Sequence, residues 1–288
     1  MPMSERFKGW LIVAIAYVFA LSAAIFVTEQ LDTHPLVEVG AAQFSATIIF
    51  FIFSFLCNNS SINDTYWSSA PIAFVIYYLS LSGFEENVLR KVLLLCFVSF
   101  WGLRLTAYVL YYWKGLNHED WRFVDLRHKT GKGYWVVSLF GLHLLPALLI
   151  YMASLSFYPI VLSEKSFGVA DMFSTLIVLV ALAVGAISDE QLRRFRTNPD
   201  KSTLVLSTGL WRLTRHPNYV GETLFWWGIW LMGLTSGSSM WWFVIGPVGI
   251  ICLFQFVSID LMEERLMKKD GYAIYRDKVA RYFPFPGK

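Results

Sequence analysis

Long apolar stretches constrain the fold of this 288-residue chain more than any other feature of its sequence. A helix that crosses the hydrocarbon core of a bilayer needs about 20 mostly apolar residues. Stretches of suitable composition lie near 10–27, 41–56, 67–81, 88–112, 134–161, 172–187, 219–234 and 241–259. The sequence therefore predicts an all-α integral membrane protein, a bundle of seven to eight transmembrane helices.

The composition excludes several other classes of protein. Only 16% of the residues are charged and 56% are hydrophobic, whereas about 25% of the residues in a soluble domain are charged. A disordered chain and a water-soluble α/β enzyme are both disfavoured. The net charge of +3 is too small to indicate nucleic-acid binding. None of the three cysteines forms a CxxC pair, so the sequence suggests neither a zinc site nor a disulfide framework.

The distribution of basic residues predicts the orientation in the membrane. With eight helices both termini lie on the same side. Most of the 24 Lys and Arg residues then fall on that side, at the N-terminus and in 113–133, 188–218 and 260–288. The positive-inside rule makes this side cytoplasmic. Only Arg90, Lys91 and Lys165 fall in outer loops. We expect a single membrane domain over 1–288, with a polar cytoplasmic mouth suited to a charged cofactor.

Arg104 and His143 lie well inside predicted membrane helices. Arg104 shares a helix face with Trp101 and Tyr108. Burying its charge costs several kcal/mol unless it is paired or hydrated, so it is either a functional residue or one that extends to the interface. His143 precedes Pro146 by three residues. A packing residue is the more common outcome for such a histidine, and a functional one stays open.

A second group of polar residues surrounds the seventh predicted helix. Asn218 and Glu222 are four residues apart and point the same way. A carboxylate that enters a membrane needs a partner or a proton. An acid near a helix N-terminus is also stabilised by the helix dipole, without any functional role. Upstream, an arginine cluster lies beside Asp189. Arginine forks bind phosphate oxygens, but such a cluster is also typical of a solvated cytoplasmic loop.

Several runs of this sequence resemble the steroid 5α-reductase family, and most closely its bacterial membrane branch. They are DEQLRRFRTNP, GLWRLTRHPNYVGETLFWWGIWL and EERLMKKDGYAIYRDKVARYFPF, with INDTYWS, FWGLRLTAYVLYYW and EDWRFVDLRHKTG upstream. The resemblance covers roughly residues 58–288. It implies a reductase-like core of seven helices, to which residues 1–30 add an N-terminal helix.

The resemblance also implies an activity. Members of the family use NADPH to reduce the C=C bond of an α,β-unsaturated ketone in a steroid or similar lipid. The expected partners are therefore the lipid bilayer and a hydrophobic, steroid-like enone. The bacterial branch implies a bacterial inner membrane, with the cofactor site facing the cytoplasm.

The resemblance assigns cofactor contacts residue by residue. In the family, four groups of residues contact NADPH. They are an Arg and a Tyr on one helix, an Asp followed by arginines before the GLW turn, an N-x-x-G-E motif, and polar residues of the C-terminal helix. The matching residues are Arg104, Tyr108, Asp189, Arg193, Arg196, Asn218, Glu222, Glu264 and Arg265.

The proton donor departs from the family pattern. Mammalian steroid reductases place a Tyr three residues before the helix Arg, and it works with a Glu of the preceding helix. The chain has Trp101 at the Tyr position, and the counterpart of the Glu lies near Asp64, Tyr66 or Trp67. The residues expected to act in catalysis are Glu222, Tyr108, Tyr66 and Asp64.

Two other functions are compatible with parts of the sequence. RHPNYVG, EER and GYAIY are also similar to membrane methyltransferases of the isoprenylcysteine or phospholipid type, which use S-adenosylmethionine. The Asp189–Arg196 segment and the Arg104–Tyr108 helix favour the reductase. A transporter should carry midplane charges in two related halves, and the sequence shows no such repeat.

Overall fold

Helices make up the regular structure of the chain in a computed structural model that describes residues 4–83, 85–198 and 204–283. Within these ranges there is no β-strand, and a single isolated bridge joins Thr214 to Ala280. The chain divides into two compact units, residues 1–164 and 165–288, and each is described by itself.

The described residues of the first unit form eight α-helices. They are α1 (Glu5–Gln30), α2 (Pro35–Leu56), α3 (Ala70–Ser82), α4 (Val88–Tyr112), α5 (Trp121–Thr130), α6 (Tyr134–Val137), α7 (Leu145–Ser154) and α8 (Phe157–Leu162). A 3₁₀ helix at Ser60–Thr65 precedes α3, and a short one at Gly131–Gly133 precedes α6. A π-helical segment at Ser138–Leu144 joins α6 to α7.

Five α-helices lie in the part of the second unit that the structure describes. They are α9 (Val169–Arg196), α10 (Pro217–Thr235), α11 (Ile245–Leu253), α12 (Ile259–Leu266) and α13 (Tyr272–Lys278). Short 3₁₀ helices at Gly209–Arg212 and Trp241–Val244 precede α10 and α11. A π-helical segment at Phe254–Ser258 connects α11 to α12.

Six helical stretches in the described chain are long and apolar enough to cross a membrane. They are Glu5–Gln30, Pro35–Leu56, Val88–Tyr112, Trp121–Leu162, Val169–Arg196 and Trp241–Leu266. They indicate a multi-pass membrane protein, but the predicted count of seven to eight is not confirmed. The third predicted helix is α3, whose 13 residues extend only about 20 Å. The seventh is α10, whose 19 residues are not apolar enough over their length to join this set.

The N-terminus of α1 lies beside the C-terminus of α4. Arg6 Nη2 donates hydrogen bonds to the carbonyl oxygens of Leu110, at 3.1 Å, and Tyr111, at 2.7 Å. The last carbonyls of a helix have no partner within it, and a cation there also favours the helix dipole. This contact agrees with the prediction that the N-terminus and segment 113–133 share one side.

Two cations predicted for an outer loop are instead buried in the first turn of α4. Arg90 is fully buried and its Nη1 donates to Ser163 Oγ at 3.2 Å. Lys91 is 3% exposed and its Nζ donates to the carbonyl oxygen of Gly83 at 2.9 Å. Oxygen acceptors of neighbouring segments compensate the burial of these two cations.

Pro146 disturbs the helix that contains the π-helical segment, and a neighbouring side chain compensates. A proline has no N–H to donate to the carbonyl four residues earlier, which is that of Leu142. Asn63 Nδ2 donates to this carbonyl oxygen at 3.0 Å. The 3₁₀ helix Ser60–Thr65 thus supplies the donor that the proline removes.

Close contact between glycines fixes the register of α9 and α10. A Cβ added at Gly221 would lie 2.7 Å from the backbone nitrogen of Gly185, and one added at Gly228 would lie 2.6 Å from Val178 Cγ2. Both contacts are tighter than any side chain at those positions allows. The paired positions change in opposite directions along the chain, so the two helices are antiparallel. Small residues permit such approach between membrane helices.

We expect Asn63→Ala to lower the free energy of unfolding by about 1–3 kcal/mol, the range for a buried polar group left without a partner. Pro146→Ala restores the backbone donor to the Leu142 carbonyl and should recover most of this loss in the double variant. Unfolding in detergent of the four proteins of this cycle tests the prediction. Additive losses in the double variant would contradict the proposed compensation.

Candidate functional site

The arginine cluster forms the end of a helix rather than a loop. We predicted that the sixth helix ends near residue 187, yet α9 continues to Arg196. Glu190 stabilises this extension because its carboxylate accepts from Arg193 Nε and Arg194 Nε, both at 2.6 Å. The helical spacing puts Asp189, Arg193 and Arg196 on one face of α9.

The turn before α10 is held against this helical end by glycine and glutamine. Gly209 has a φ of +63°, a conformation that favours glycine. A Cβ at Gly209 would also lie 2.4 Å from the Gln191 amide. The backbone N–H of Leu210 donates to Gln191 Oε1 at 3.0 Å. Glycine at this position therefore allows the turn to pack directly on α9.

Trp211 connects this turn to two other parts of the second unit. Its indole N–H donates to the carbonyl oxygen of Ser188 at 3.3 Å, and its own carbonyl accepts from the Tyr275 hydroxyl at 2.5 Å. The Tyr275 hydroxyl is protonated here, since burial raises the pKa of this tyrosine. These bonds join α9, the turn and α13 into one structure.

The antiparallel register brings the predicted Asp and Asn to the same level. Residues 185 and 178 face 221 and 228, so Asn218 lies level with Ser188 and Asp189. Glu222 follows one turn later on the same side of α10 and is 9% exposed. The structure therefore brings Asp189, Asn218 and Glu222 together at one end of the helix pair.

Asn218 carries a buried acceptor that no group in the described part of the chain satisfies. Its Oδ1 is shielded from solvent and accepts no hydrogen bond there. An unsatisfied buried polar atom costs about 1–3 kcal/mol, which makes the position suited to a ligand that donates an N–H. The nearby Glu222 carboxylate, together with burial, raises the pKa of Tyr282.

A buried ion cluster fixes the loop that leads into α10. Arg215 Nε lies 2.8 Å from Glu263 Oε1, and His216 Nε2 lies 3.1 Å from the same oxygen. Burial lowers the pKa of His216, although the Glu263 carboxylate opposes this shift. The imidazole is therefore neutral near pH 7, and its Nε2–H donates to Glu263.

Neighbouring residues of α12 differ in their exposure. Glu264 and Arg265, assigned as cofactor contacts, are both exposed, while the adjacent Glu263 is the acid that faces inward. A helical pattern could have found it, because Ile259 is buried and Glu263 follows one turn later. No ligand contact of Glu264 or Arg265 follows from their positions.

A shallow depression of about 440 Å³ lies on the second unit beside Tyr275. It is lined by Val205, Ser207, Arg212, Gly271, Ile274, Tyr275, Lys278 and Val279. Arg212 and Lys278 give it positive charge, and phosphate oxygens are the groups that such cations bind. The depression adjoins the structure that holds the GLW turn.

In the first unit, Arg104 and Tyr108 lie one turn apart on α4, as predicted. The Tyr108 ring packs against Tyr112 with centroids 4.7 Å apart. Trp101, at the position of the family tyrosine, is 1% exposed and packs edge-on against Trp67 at 6.0 Å. Trp101 is therefore a packing residue, and it has no hydroxyl to act as a proton donor.

Asp64 and Tyr66 have different partners in the first unit. Asp64 lies 3.7 Å from Arg122 and is partly buried. Burial raises its pKa to about 7, and Arg122 only partly offsets this effect. The Tyr66 hydroxyl donates to Gln43 Oε1 at 2.6 Å, and its ring stacks on Phe50. Gln43 Nε2 is buried without an acceptor in the described residues.

Replacing Glu263 tests the structural role of the ion cluster. Glu263→Gln leaves the buried Arg215 without its counter-charge and should lower the free energy of unfolding by about 3 kcal/mol. The adjacent Glu264→Gln is the matched control and should change it by less than about 0.5 kcal/mol, because that residue is exposed. Equal losses in detergent unfolding would show that Glu263 is not the anchoring acid.

The raised pKa of Asp64 predicts a specific pH dependence of stability. The folded chain binds this proton more tightly than the unfolded chain, whose aspartate pKa is about 3.9. The contribution of this proton to the free energy of unfolding is full below pH 4 and is lost as pH rises through about 7.

Asp64→Asn should therefore flatten the stability profile between pH 4 and 7. It should also stabilise the protein at pH 8 by up to a few kcal/mol, at about 1.4 kcal/mol per pKa unit. Thermal unfolding across this pH range, compared with wild type, provides the test. Parallel profiles would be incompatible with a raised pKa.

Comparison with known proteins gives a family. The profile described as "Protein of unknown function (DUF1295)" matches residues 50–279. An uncharacterized protein of Schizosaccharomyces pombe is 28% identical over 312 aligned positions, which cover 96% of this chain and 89% of the relative. No solved structure is significantly similar to the chain. Because the profile matches most of the sequence, from the end of α2 to α13, the chain belongs to the DUF1295 family.

Proposed function

We propose that this protein is a membrane-embedded oxidoreductase that uses NADPH to reduce the C=C bond of an α,β-unsaturated ketone in a steroid-like or other lipid. The observation that carries the proposal is the buried, unsatisfied Oδ1 of Asn218, one turn from the buried Glu222. The carboxamide N–H₂ of a nicotinamide ring is a donor that would satisfy this oxygen.

Residues of the second unit can hold the rest of the cofactor. Asp189 lies level with Asn218, and its carboxylate suits ribose hydroxyls. Arg193 and Arg196 lie one and two turns beyond Asp189 on the same face of α9. Their guanidinium groups suit phosphate oxygens. Arg193 also pairs with Glu190, so its share is the smaller. The resemblance adds Arg104 and Tyr108, and more loosely Glu264 and Arg265, which stay predictions.

The bound cofactor would supply a hydride to the β carbon of the enone. The chain's own residues would orient the reactants and stabilise the charge that develops on the carbonyl oxygen. Asn218 and Glu222 would fix the nicotinamide ring. Among the expected catalytic residues, Tyr66 has the best-defined environment, because its hydroxyl is paired with Gln43, whose Nε2 is an unused buried donor.

A methyltransferase that binds S-adenosylmethionine is the alternative. The residues that resemble that family include Arg215, His216, Glu263 and Tyr275. They bond to one another or to the backbone of the turn, so they fold the loop. These residues do not discriminate between the two functions. The Asp189–Arg196 segment of α9 and the Arg104–Tyr108 pair of α4 support the reductase.

The proposed cellular location combines the apolar helices with the position of the cofactor site. The six apolar stretches support a multi-pass membrane protein. We propose that the end of the second unit that carries Asp189 and Asn218 faces the cytoplasm, where NADPH is found, and that the membrane is a bacterial inner membrane. The substrate would enter from the lipid.

Nucleotide binding to the purified protein in lipid nanodiscs tests the function. We expect tryptophan fluorescence to report saturable binding of NADPH and none of S-adenosylmethionine. Asn218→Ala should weaken NADPH binding at least tenfold, a change of about 1.4 kcal/mol, and Glu222→Gln should lower enone reduction by orders of magnitude. The exposed Asp270→Asn is the control and should behave as wild type. Binding of S-adenosylmethionine alone would establish the alternative.

A further inference from the structure

A chain of buried polar groups runs through the first unit to His143. His143 is 1% exposed, and Ser54, Ser60 and Ser138 are fully buried. Such groups are costly in a membrane-spanning segment unless they bond to one another. They do so in a continuous path, which ends at a partly exposed ion pair.

The outer end of the path is Glu119. Its carboxylate accepts from Arg127 Nη2 at 3.0 Å and from the backbone N–H of Ser60 at 2.8 Å. The Tyr134 hydroxyl donates to the same oxygen at 3.3 Å. The Arg127 side chain is 28% exposed and that of Glu119 is 12% exposed, so this end reaches water.

Three hydroxyls connect Glu119 to the histidine. Tyr134 OH lies 2.7 Å from Ser60 Oγ, and Ser60 Oγ lies 3.0 Å from Ser138 Oγ. Ser138 Oγ then lies 3.4 Å from His143 Nδ1, the longest step of the path. Hydroxyl groups both accept and donate, so each member can receive a proton from one neighbour and give one to the next.

The tautomer of His143 completes the path. Nδ1 lies 2.9 Å from the carbonyl oxygen of Ser138, which can only accept, so Nδ1 carries the proton. Nε2 is then the acceptor for the Ser54 hydroxyl at 3.2 Å. The π-helical segment Ser138–Leu144 brings His143 back over Ser138 five residues earlier, and such segments are frequent at functional sites.

We propose that this path conducts protons and that His143 is the proton-exchanging residue at its inner end. For a proton that leaves, Nε2 first takes up a proton from a water or acid on the Ser54 side; the Nδ1–H of this imidazolium then passes to Ser138 Oγ, and each hydroxyl passes its own proton on until Glu119 holds one. The imidazole is left neutral, with its proton on Nε2. Entry is the reverse, so no proton is created or lost. Reduction of a C=C bond also consumes a proton, and use of the path in that step rests on the proposed function.

A purely structural network gives the opposite expectation from a proton path. Removing one hydroxyl from a structural network loosens it, so exchange of the imidazole proton with water stays equal or becomes faster. Removing a hydroxyl from a conducting path interrupts it, so exchange slows. Tyr134→Phe removes the link between Ser60 and Glu119, while its ring can stay beneath the Arg127 guanidinium, which lies 3.9 Å from the ring centroid.

The experiment measures exchange between water and the His143 Nδ1 proton by NMR saturation transfer, in ¹⁵N-histidine-labelled protein in nanodiscs without nucleotide. The signal is assigned by its loss in His143→Gln. If that variant does not fold, replacing each of the other four histidines in turn assigns it by elimination. The absence of nucleotide keeps this result independent of the proposed function.

We expect Tyr134→Phe to slow the exchange at least tenfold relative to wild type. Ser60→Ala interrupts the same path and should have the same effect, so it serves if Tyr134→Phe does not fold. Tyr151→Phe is the matched control: its hydroxyl is also partly buried in the same helical stretch and donates only to the Leu36 carbonyl. Exchange that is unchanged or faster in Tyr134→Phe would overturn the proposal.

Discussion

The candidate site depends on the glycine contact between α9 and α10. Only a residue without a side chain lets the backbone at Gly221 approach Gly185 so closely. The contact fixes the antiparallel register, and the register places Asn218 level with Asp189. The turn at Gly209 and the bond from Trp211 to Ser188 then fix the chain between the two helices. A larger residue at Gly221 would displace every polar group at this end of the pair.

Charges buried in this chain are held by opposite charges or by oxygen acceptors. Arg215 faces Glu263, Arg90 reaches Ser163, and Lys91 reaches the Gly83 carbonyl. Such partners offset the loss of hydration that burial causes. The buried Oδ1 of Asn218 accepts no hydrogen bond within the described residues, and this is why it directs the proposed function.

Apolar composition was sufficient to predict an all-helical membrane protein. Helical spacing predicted that Asn218 and Glu222 lie one turn apart on one helix face, and that Arg104 and Tyr108 do so on another helix. Hydropathy did not predict that α9 extends to Arg196, because its polar end is stabilised by local ion pairs from Glu190. Hydropathy placed Arg90 and Lys91 at the start of a membrane helix, but it did not indicate that both are buried. Their partners, Ser163 and Gly83, are distant or backbone groups that no local pattern reveals. Glu263 was also missed, although its position one turn after the buried Ile259 indicates an inward-facing acid.

The central claim is that a dinucleotide binds at the end of the α9–α10 pair. Its most direct test is photo-crosslinking of the purified protein with an azido analogue of NADPH, followed by mass spectrometry of the labelled peptides. The account predicts adducts on peptides that contain residues 185–198 or 204–222, and competition by NADPH but not by S-adenosylmethionine. Adducts confined to other peptides, or competition by S-adenosylmethionine alone, would contradict it.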